Sequence, residues 1–144
     1  MQIPIKRLRP VELPMYASEG AAAADLRAAV DEPITILPHT RVLIPTGVAV
    51  AVPEGCVALV FARSGLAIRH GLALSNGVGV IDSDYRGEIQ VGLYNHGEEP
   101  YTVQPGERIA QMAILPFIPA DFVETDTLPE TRRGKGGFGS TGKE

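Results

Sequence analysis

The sequence predicts an all-β fold, a barrel or a pair of packed sheets built from roughly ten or more short strands. The apolar segments are short and rich in valine and isoleucine, and 16 glycines and 12 prolines in 144 residues punctuate them. No window of roughly a dozen residues keeps a helical period. Hydrophobic residues make up 44% of the chain, enough for one domain with a core that needs neither a disulfide nor a metal.

The predicted strands follow one another with short gaps. They cover residues 3–8, 25–29, 34–37, 42–52, 56–62, 72–75, 78–82, 88–95, 101–103 and 108–117. Turn sequences rich in proline, glycine and asparagine lie between several of them, at 53–55, 85–87, 95–97 and 104–106. Residues 64–70 are predicted to form one or two helical turns.

Charge and composition exclude several classes of protein. The formal net charge is −4, from 13 basic and 17 acidic residues, which argues against a broad cationic face for nucleic acid but allows a local basic pocket for a small anion. The single cysteine, Cys56, excludes a disulfide scaffold and a cysteine zinc site, and the three histidines lack metal-ligand spacing. No apolar stretch approaches the roughly 20 residues that cross a bilayer, and the start lacks a signal-peptide pattern, so we expect a cytoplasmic protein without membrane contact.

The chain divides into a β-barrel domain over residues 1–124 and a polar, glycine-dense tail over residues 125–144. Such a tail cannot build a core, and many glycine-rich termini are simply disordered. A second interpretation is a flexible lid over a binding site, because Phe138 offers a stacking plane and Arg133 and Lys135 offer positive charge.

The segment Arg63-Ser64-Gly65 lies where a strand ends and the short helix begins. Ser64 is predicted to cap that helix, and the backbone N–H groups after it, with the Arg63 guanidinium, suit a phosphate group. The alternative is an ordinary capped turn.

Residues 76–90 are predicted to form a hairpin, in which Val80 faces Gln90 across a tight turn. Asp82 ends the first strand and Asp84 lies in the turn, so we expect their carboxylates to point to opposite sides and to form no acid–base pair. Asp82 is the candidate general base because it ends an apolar run, whereas the alternative is that both aspartates are turn residues. Tyr85 is either a turn aromatic or a platform for a sugar ring.

These segments belong to a set of five sequence motifs that follow one another along the chain. They are AAADL at 22–26, ARSGLA at 62–67, Asn76 with GVIDSDYRGE at 79–88, PGERIAQ at 105–111 and RGKGGFGSTG at 133–142. In these motifs the chain resembles the trimeric deoxyuridine triphosphatases, the dUTPases. It departs from the family pattern in the first motif, where Ala23 and Ala24 stand in place of a glycine and the residue that follows it; an added methyl group is tolerable there if the backbone is extended.

The resemblance implies a jelly-roll-like β-barrel, the dUTPase fold, with a flexible C-terminal arm and active sites at the subunit interfaces of a homotrimer. It implies hydrolysis of dUTP to dUMP and pyrophosphate with Mg²⁺ on the triphosphate. This reaction supplies dUMP for thymidylate synthesis and keeps uracil out of DNA.

The resemblance also assigns a role to each motif residue. Asp82 activates the water that attacks the α-phosphorus, and Tyr85 packs under the deoxyribose and excludes a 2′-hydroxyl. The uracil and nucleoside contacts fall to Asn76, Gly79, Val80, Ile81 and Gln90, and the phosphate contacts to Arg63, Ser64, Gly65, Gln111 and Arg133. Phe138 stacks on uracil when the tail closes. No direct protein ligand to the metal is expected, and Asp25 is expected to reach it through water.

Two alternatives use the same fold. A dCTP deaminase resembles this architecture but uses a glutamate base in the third motif, and the run Asp82-Ser83-Asp84-Tyr85 argues against it. A non-catalytic dUTP sensor would be marked by loss of Asp82, Tyr85 or the tail motif, and all three are present.

Overall fold

The computed structural model of the chain describes residues 1–137. Its strands are β1 (Ile5–Arg7), β2 (Met15–Tyr16), β3 (Ala24–Arg27), β4 (Ile34–Ile36), β5 (Arg41–Pro45), β6 (Val48–Val50), β7 (Cys56–Ala62), β8 (Leu72–Leu74), β9 (Gly79–Ile81), β10 (Gln90–Asn95), β11 (Tyr101–Val103) and β12 (Arg108–Pro116). One helix, α1 (Ser64–His70), connects β7 to β8. The prediction of an all-β fold is confirmed, and the architecture is consistent with a jelly roll. Among the described residues, no helix has the length and apolar character needed to cross a membrane.

The largest sheet has five antiparallel strands in the order β2-β3-β12-β7-β9. Three smaller sheets, β5-β10-β8, β1-β6 and β11-β4, complete the fold. Side chains alternate across each strand, so one face of the large sheet enters the core. That face carries the buried residues Leu26, Ala58, Val60, Ala110 and Met112.

The opposite face of the five-stranded sheet, called the outward face below, is also apolar. Strand register places Leu59 between Ala113 and Val80, and Val57 beside Leu115. Val80 is 59% exposed and Leu115 is 38% exposed. An apolar sheet face that residues 1–137 leave partly uncovered is typical of a surface that packs against another molecule.

One predicted strand is interrupted in the structure, and one strand of the structure was not predicted, each for a local reason. The predicted strand 42–52 is interrupted between β5 and β6, where Gly47 has φ +71° and a Cβ would lie 2.8 Å from the Ala29 Cβ. The two-residue strand β2 is too short to leave a periodic signal in the sequence. The prediction that Ser64 caps α1 is wrong, because Arg63 is the capping residue and Ser64 is the first residue of the helix.

The predicted pairing of two strands in a hairpin over residues 76–90 is wrong. β9 pairs with β7 in the large sheet, whereas β10 pairs with β5 and β8 in another sheet. A turn does form, with the Tyr85 N–H donating to the Asp82 carbonyl at 3.2 Å. The chain then crosses between sheets, and the Ile89 N–H donates to the Val48 carbonyl at 2.9 Å. β9 and β10 therefore form their backbone hydrogen bonds with other strands and not with each other.

Candidate active site

A buried carboxylate organises one part of the candidate site. Asp25 of β3 lies beside Gln111 of β12 in register, and only 6% of the residue is exposed. Its Oδ1 accepts from Arg63 Nε at 3.2 Å and from Gln111 Nε2 at 3.4 Å, and its Oδ2 accepts from Arg108 Nη1 at 3.1 Å. We call these four residues the Asp25 cluster.

The Asp25 cluster carries a net positive charge, because two guanidinium groups face one carboxylate. Arg63 Nη1 also donates to the Arg108 carbonyl at 3.1 Å, which fixes the Arg63 side chain a second time. The side chains of Arg63 and Arg108 remain 24% and 44% exposed. Guanidinium groups that are held in place and still reach solvent are suited to bind an anion such as a phosphate.

A second layer supports this cluster. The Tyr101 hydroxyl donates to Glu107 Oε1 at 2.5 Å, and Glu107 Oε2 accepts from the Gln104 N–H at 2.9 Å. Burial, together with the hydrogen bond to Glu107 and its charge, raises the pKa of Tyr101 to about 12, and the nearby Arg63 opposes this rise. The Tyr101 hydroxyl therefore stays protonated at neutral pH and keeps the Glu107 carboxylate in place beside Arg108.

A pocket beside β9 forms the other part of the candidate site. It is a cavity of about 280 Å³ whose walls include Val80, Ile81, Asp82, Tyr85, Glu88 and Gln90, with Leu43 from β5. A cavity of about 110 Å³ adjoins it and adds Asn76 and Gly79. We call the two together the Asp82 pocket.

The Tyr85 ring has a defined place in this pocket. Its hydroxyl donates to the Glu88 carbonyl at 3.0 Å. Gly87 makes this possible, because a Cβ at that position would overlap the Tyr85 hydroxyl. Arg86 Nη1 donates to the carbonyls of Ser83 and Tyr85 at 2.6 and 2.8 Å, so the turn below the ring is braced.

The Asp82 carboxylate differs from the expected enclosed base. Asp82 is exposed, and in residues 1–137 no hydrogen bond or ion pair joins its side chain to another group. Residues 1–137 of its own chain therefore do not enclose it with apolar walls on all sides.

The two parts of the site are far apart within one chain. The pairing of Ala58 with Ile81 places Asp82 level with Val57 near the start of β7, whereas Arg63 follows the end of that strand. Six residues of extended chain separate the two positions, a distance of about 20 Å. Within one chain, Asp82 and Arg63 therefore lie at opposite ends of the outward face.

The structure brings most of the predicted residues into one part or the other. Arg63 and Gln111 join Asp25; Asn76, Gly79, Val80, Ile81, Tyr85 and Gln90 join Asp82. Ser64 and Gly65 are exposed next to Arg63. Arg133 is exposed, and its Nε donates to the Gly136 carbonyl at 2.8 Å. Phe138 lies outside the described residues.

Sequence reasoning missed Arg108 and Glu88, although both lie inside quoted motifs. Arg108 opens β12 and pairs with the buried Asp25. Glu88 accepts from the Gly47 N–H at 2.9 Å and from Arg9 Nε at 3.2 Å. The available signal was a charged residue directly beside a buried isoleucine, Ile109 or Ile89. Such a charge requires a partner, but the sequence does not say which one.

The donor groups bear on how a metal ion could be held. The described residues contain no group of three or more His, Cys, Asp or Glu side chains arranged around a common point. Asp25 Oδ1 accepts two hydrogen bonds and Oδ2 accepts one, so one lone pair of Oδ2 remains for a water molecule. These donors fit an ion carried by a phosphate ligand better than an ion held in a protein cage.

Comparison with known proteins identifies a family that the chain matches over most of its length. Residues 9–142 match the family model described as dUTPase. The deoxyuridine 5′-triphosphate nucleotidohydrolase of Desulfitobacterium hafniense is 55% identical over 139 residues, which cover 96% of this chain and 92% of that protein.

Two solved structures extend the comparison. The dUTPase of Staphylococcus bacteriophage 80alpha with dUpNHpp superposes with a TM-score of 0.90 at 26% identity, covering 98% of each chain. A dUTPase variant from phage phi11 of S. aureus, described for its structural Mg(II) ion, has a TM-score of 0.79 at 22% identity, covering 88% of this chain and 98% of that one. The second likeness shows the fold alone.

Proposed function

The chain belongs to the dUTPase family, and from this premise we propose that it hydrolyses dUTP to dUMP and pyrophosphate. The observation that carries the proposal is the division of the site into a cationic Asp25 cluster and an open Asp82 pocket. The first suits the triphosphate and the second suits the nucleoside and the attacking water. The reaction supplies dUMP for thymidylate synthesis and keeps uracil out of DNA, and we place it in the cytoplasm.

The complete site forms between copies of the chain. The separation of about 20 Å between Asp82 and Arg63 requires that a second chain supply one of them. The outward face supports this assembly, because it is apolar, partly exposed and bordered at its two ends by the two parts of the site. Three copies related by a rotation axis bury this face in each contact and leave no open end. We therefore infer a homotrimer with its sites at the interfaces.

The chemistry follows from the charges. Asp82 takes a proton from a water molecule as the water oxygen attacks the α-phosphorus, and the bond from that phosphorus to the bridging oxygen breaks. Pyrophosphate leaves with the bonding electrons, and Arg63, Arg108 and Gln111 of the neighbouring chain stabilise its charge. Ser64 and Gly65 lie beside Arg63 and provide backbone and hydroxyl contacts to the phosphates.

Mg²⁺ bound to the triphosphate would neutralise charge on the phosphate oxygens. The remaining lone pair of Asp25 Oδ2 would accept a hydrogen bond from water on that ion. The main task of Asp25, however, is to hold Arg63, Arg108 and Gln111 in place.

The nucleoside half of the substrate fits the Asp82 pocket. Gly79, Val80 and Ile81 pair with β7 and line the pocket. Backbone groups of this strand, with Asn76 and Gln90 beside them, distinguish uracil from cytosine by hydrogen-bond polarity, because the wrong base leaves polar groups unpaired. The Tyr85 ring packs under the deoxyribose.

The tail completes the site as a lid. Residues 1–124 form the barrel domain, and residues 125–144 form the arm, on which Arg133 reaches the terminal phosphate and Phe138 stacks on uracil. A closed lid excludes water other than the nucleophile.

The test is pyrophosphate release by the purified chain with Mg²⁺ and, separately, dUTP, dCTP, dTTP and UTP. We expect release from dUTP and far slower release from the other three. Ammonia release from dCTP would instead indicate a deaminase. Binding of dUTP without release of pyrophosphate would indicate a non-catalytic sensor, and either result would contradict the proposal.

A further inference from the structure

We propose that Glu88 is a positioning residue that fixes the Tyr85 ring and thereby sets the preference for deoxyribose over ribose. This inference rests on the proposed function, in which Tyr85 packs under the sugar. It adds a device formed by Glu88 with Arg9, Thr46 and Gly47, three residues outside the five motifs. We call these four residues the Glu88 anchor.

The Tyr85 ring depends on the backbone of Glu88. Its hydroxyl donates to the Glu88 carbonyl at 3.0 Å, and this is the one hydrogen bond that the ring makes within residues 1–137. Tyr85 is 44% exposed, so packing alone does not hold it in one orientation. Any movement of the Glu88 backbone is therefore passed to the ring.

The Glu88 side chain is fixed at two points. Its Oε1 accepts from the Gly47 N–H at 2.9 Å and from Arg9 Nε at 3.2 Å, and only 16% of the side chain is exposed. Gly47 itself cannot move freely, because the space beside its Cα is filled by Ala29 and Val11. A hydrogen bond from a fixed backbone N–H to a mostly buried carboxylate holds that carboxylate in one place.

The next residue strengthens the same attachment. The Ile89 carbonyl accepts from the Thr46 N–H at 3.1 Å and from the Thr46 hydroxyl at 2.6 Å, and the Ile89 N–H donates to the Val48 carbonyl at 2.9 Å. Thr46 and Ile89 are each 1% exposed. The backbone that carries Tyr85 is thus attached to the buried junction between β5 and β6.

A platform that excludes one hydroxyl group works only if its position is fixed to a fraction of the size of that group. Loss of the Glu88 carboxylate would let the turn and the Tyr85 ring shift, which opens room for a 2′-hydroxyl. Binding and hydrolysis of dUTP depend on many other contacts. The loss therefore affects selectivity between the sugars more than it affects turnover of dUTP.

The experiment compares kcat/KM for dUTP and for UTP, with Mg²⁺, in four forms of the full chain: wild type, Glu88→Ala, Glu88→Gln and Glu54→Ala. Glu54 is an exposed glutamate in the turn before β7 and serves as the matched control. Because hydrogen bonds to a charged group are lost, we expect Glu88→Ala to lower the dUTP/UTP ratio about tenfold or more. Glu88→Gln keeps an acceptor for Gly47 but loses the charge that pairs with Arg9, so it falls between the alanine variant and wild type.

Thermal unfolding of each variant separates positioning from general destabilisation. If Glu88→Ala does not fold, Arg9→Ala and Thr46→Val remove single contacts of the anchor, and we expect a smaller loss of selectivity from each. An unchanged dUTP/UTP ratio in the folded variants would overturn the inference, as would an equal loss of kcat/KM for both substrates. Failure of the wild type to hydrolyse dUTP would overturn the proposed function itself, and the inference with it.

Discussion

The Asp25 cluster and the Asp82 pocket each hold an aspartate, but the two carboxylates lie in opposite surroundings. Asp25 is 6% exposed and accepts hydrogen bonds from Arg63, Arg108 and Gln111. Asp82 is exposed, and its carboxylate has no such bond within residues 1–137. A carboxylate that three donors hold fixes other side chains, whereas one open to solvent is free to receive a proton. We therefore propose a positioning role for Asp25 and proton transfer for Asp82.

Asp82→Asn tests the catalytic side of this comparison and has the largest expected effect. The amide has nearly the same shape but cannot act as a base, so we expect kcat to fall about 10³-fold while dUTP binding and the thermal unfolding temperature stay unchanged. Asp84→Asn, an exposed aspartate two residues away, is the matched control. Near-normal turnover by Asp82→Asn would contradict the hypothesis that Asp82 is the general base.

Truncation before Arg133 tests whether the tail contributes to activity as a lid over the Asp25 cluster and the Asp82 pocket. It removes Arg133 and the glycine-rich segment without touching the core, so we expect about a 10²-fold loss of activity with an unchanged oligomeric state and unfolding temperature. Steady-state kinetics and analytical ultracentrifugation measure the two quantities. A truncated chain that turns over dUTP like the full chain would contradict the lid.

Asp25→Asn sharpens the comparison, because it should affect stability where Asp82→Asn does not. It removes the charge that neutralises Arg63 and Arg108, and we expect the free energy of unfolding to fall by about 2–3 kcal/mol, with a loss of activity as well. Denaturant unfolding of Asp25→Asn and Asp82→Asn in parallel gives the measurement. Equal stability of the two variants would contradict the positioning role.

The smallest expected effect concerns Tyr101, which supports the Asp25 cluster from behind. Its pKa is raised to about 12 from an ordinary value of 10.0, mainly by burial, so the folded chain retains a proton that the unfolded chain loses. Stability from this group is complete below pH 10 and is lost as the pH rises towards 12. We expect Tyr101→Phe to lose less stability than wild type across this interval. Parallel curves for the two proteins would show that Tyr101 does not contribute.

The sequence was sufficient where local pattern determines structure. The predicted strand over residues 56–62 matches β7, because an apolar run between Gly55 and Arg63 has clear ends. The predicted helix over residues 64–70 matches α1, which ends before Gly71 with φ +70°. The resemblance also predicted roles for Asp82, Arg63 and Gln111, and these roles remain predictions.

The sequence was insufficient where partners are distant in the chain. Residues 78–82 and 88–95 have the pattern of a hairpin, yet β9 and β10 pair with different sheets, and only tertiary packing decides between these pairings. The same limit hid the partners of Arg108 and Glu88, which lie about 80 and 40 positions away along the chain. The distance between Asp82 and Arg63 follows from the register of β7 with β9, which no local pattern specifies.

The most direct test of a site shared between chains is complementation of two inactive variants. Asp82→Asn and Arg63→Ala are each expected to be nearly inactive, and the two are co-expressed with different tags so that mixed assemblies are purified. If each site takes Asp82 from one chain and Arg63 from another, purified mixed trimers have about one third of the wild-type activity, because one of their three sites receives both intact residues. Mixed assemblies with no more activity than the two parents would contradict the account.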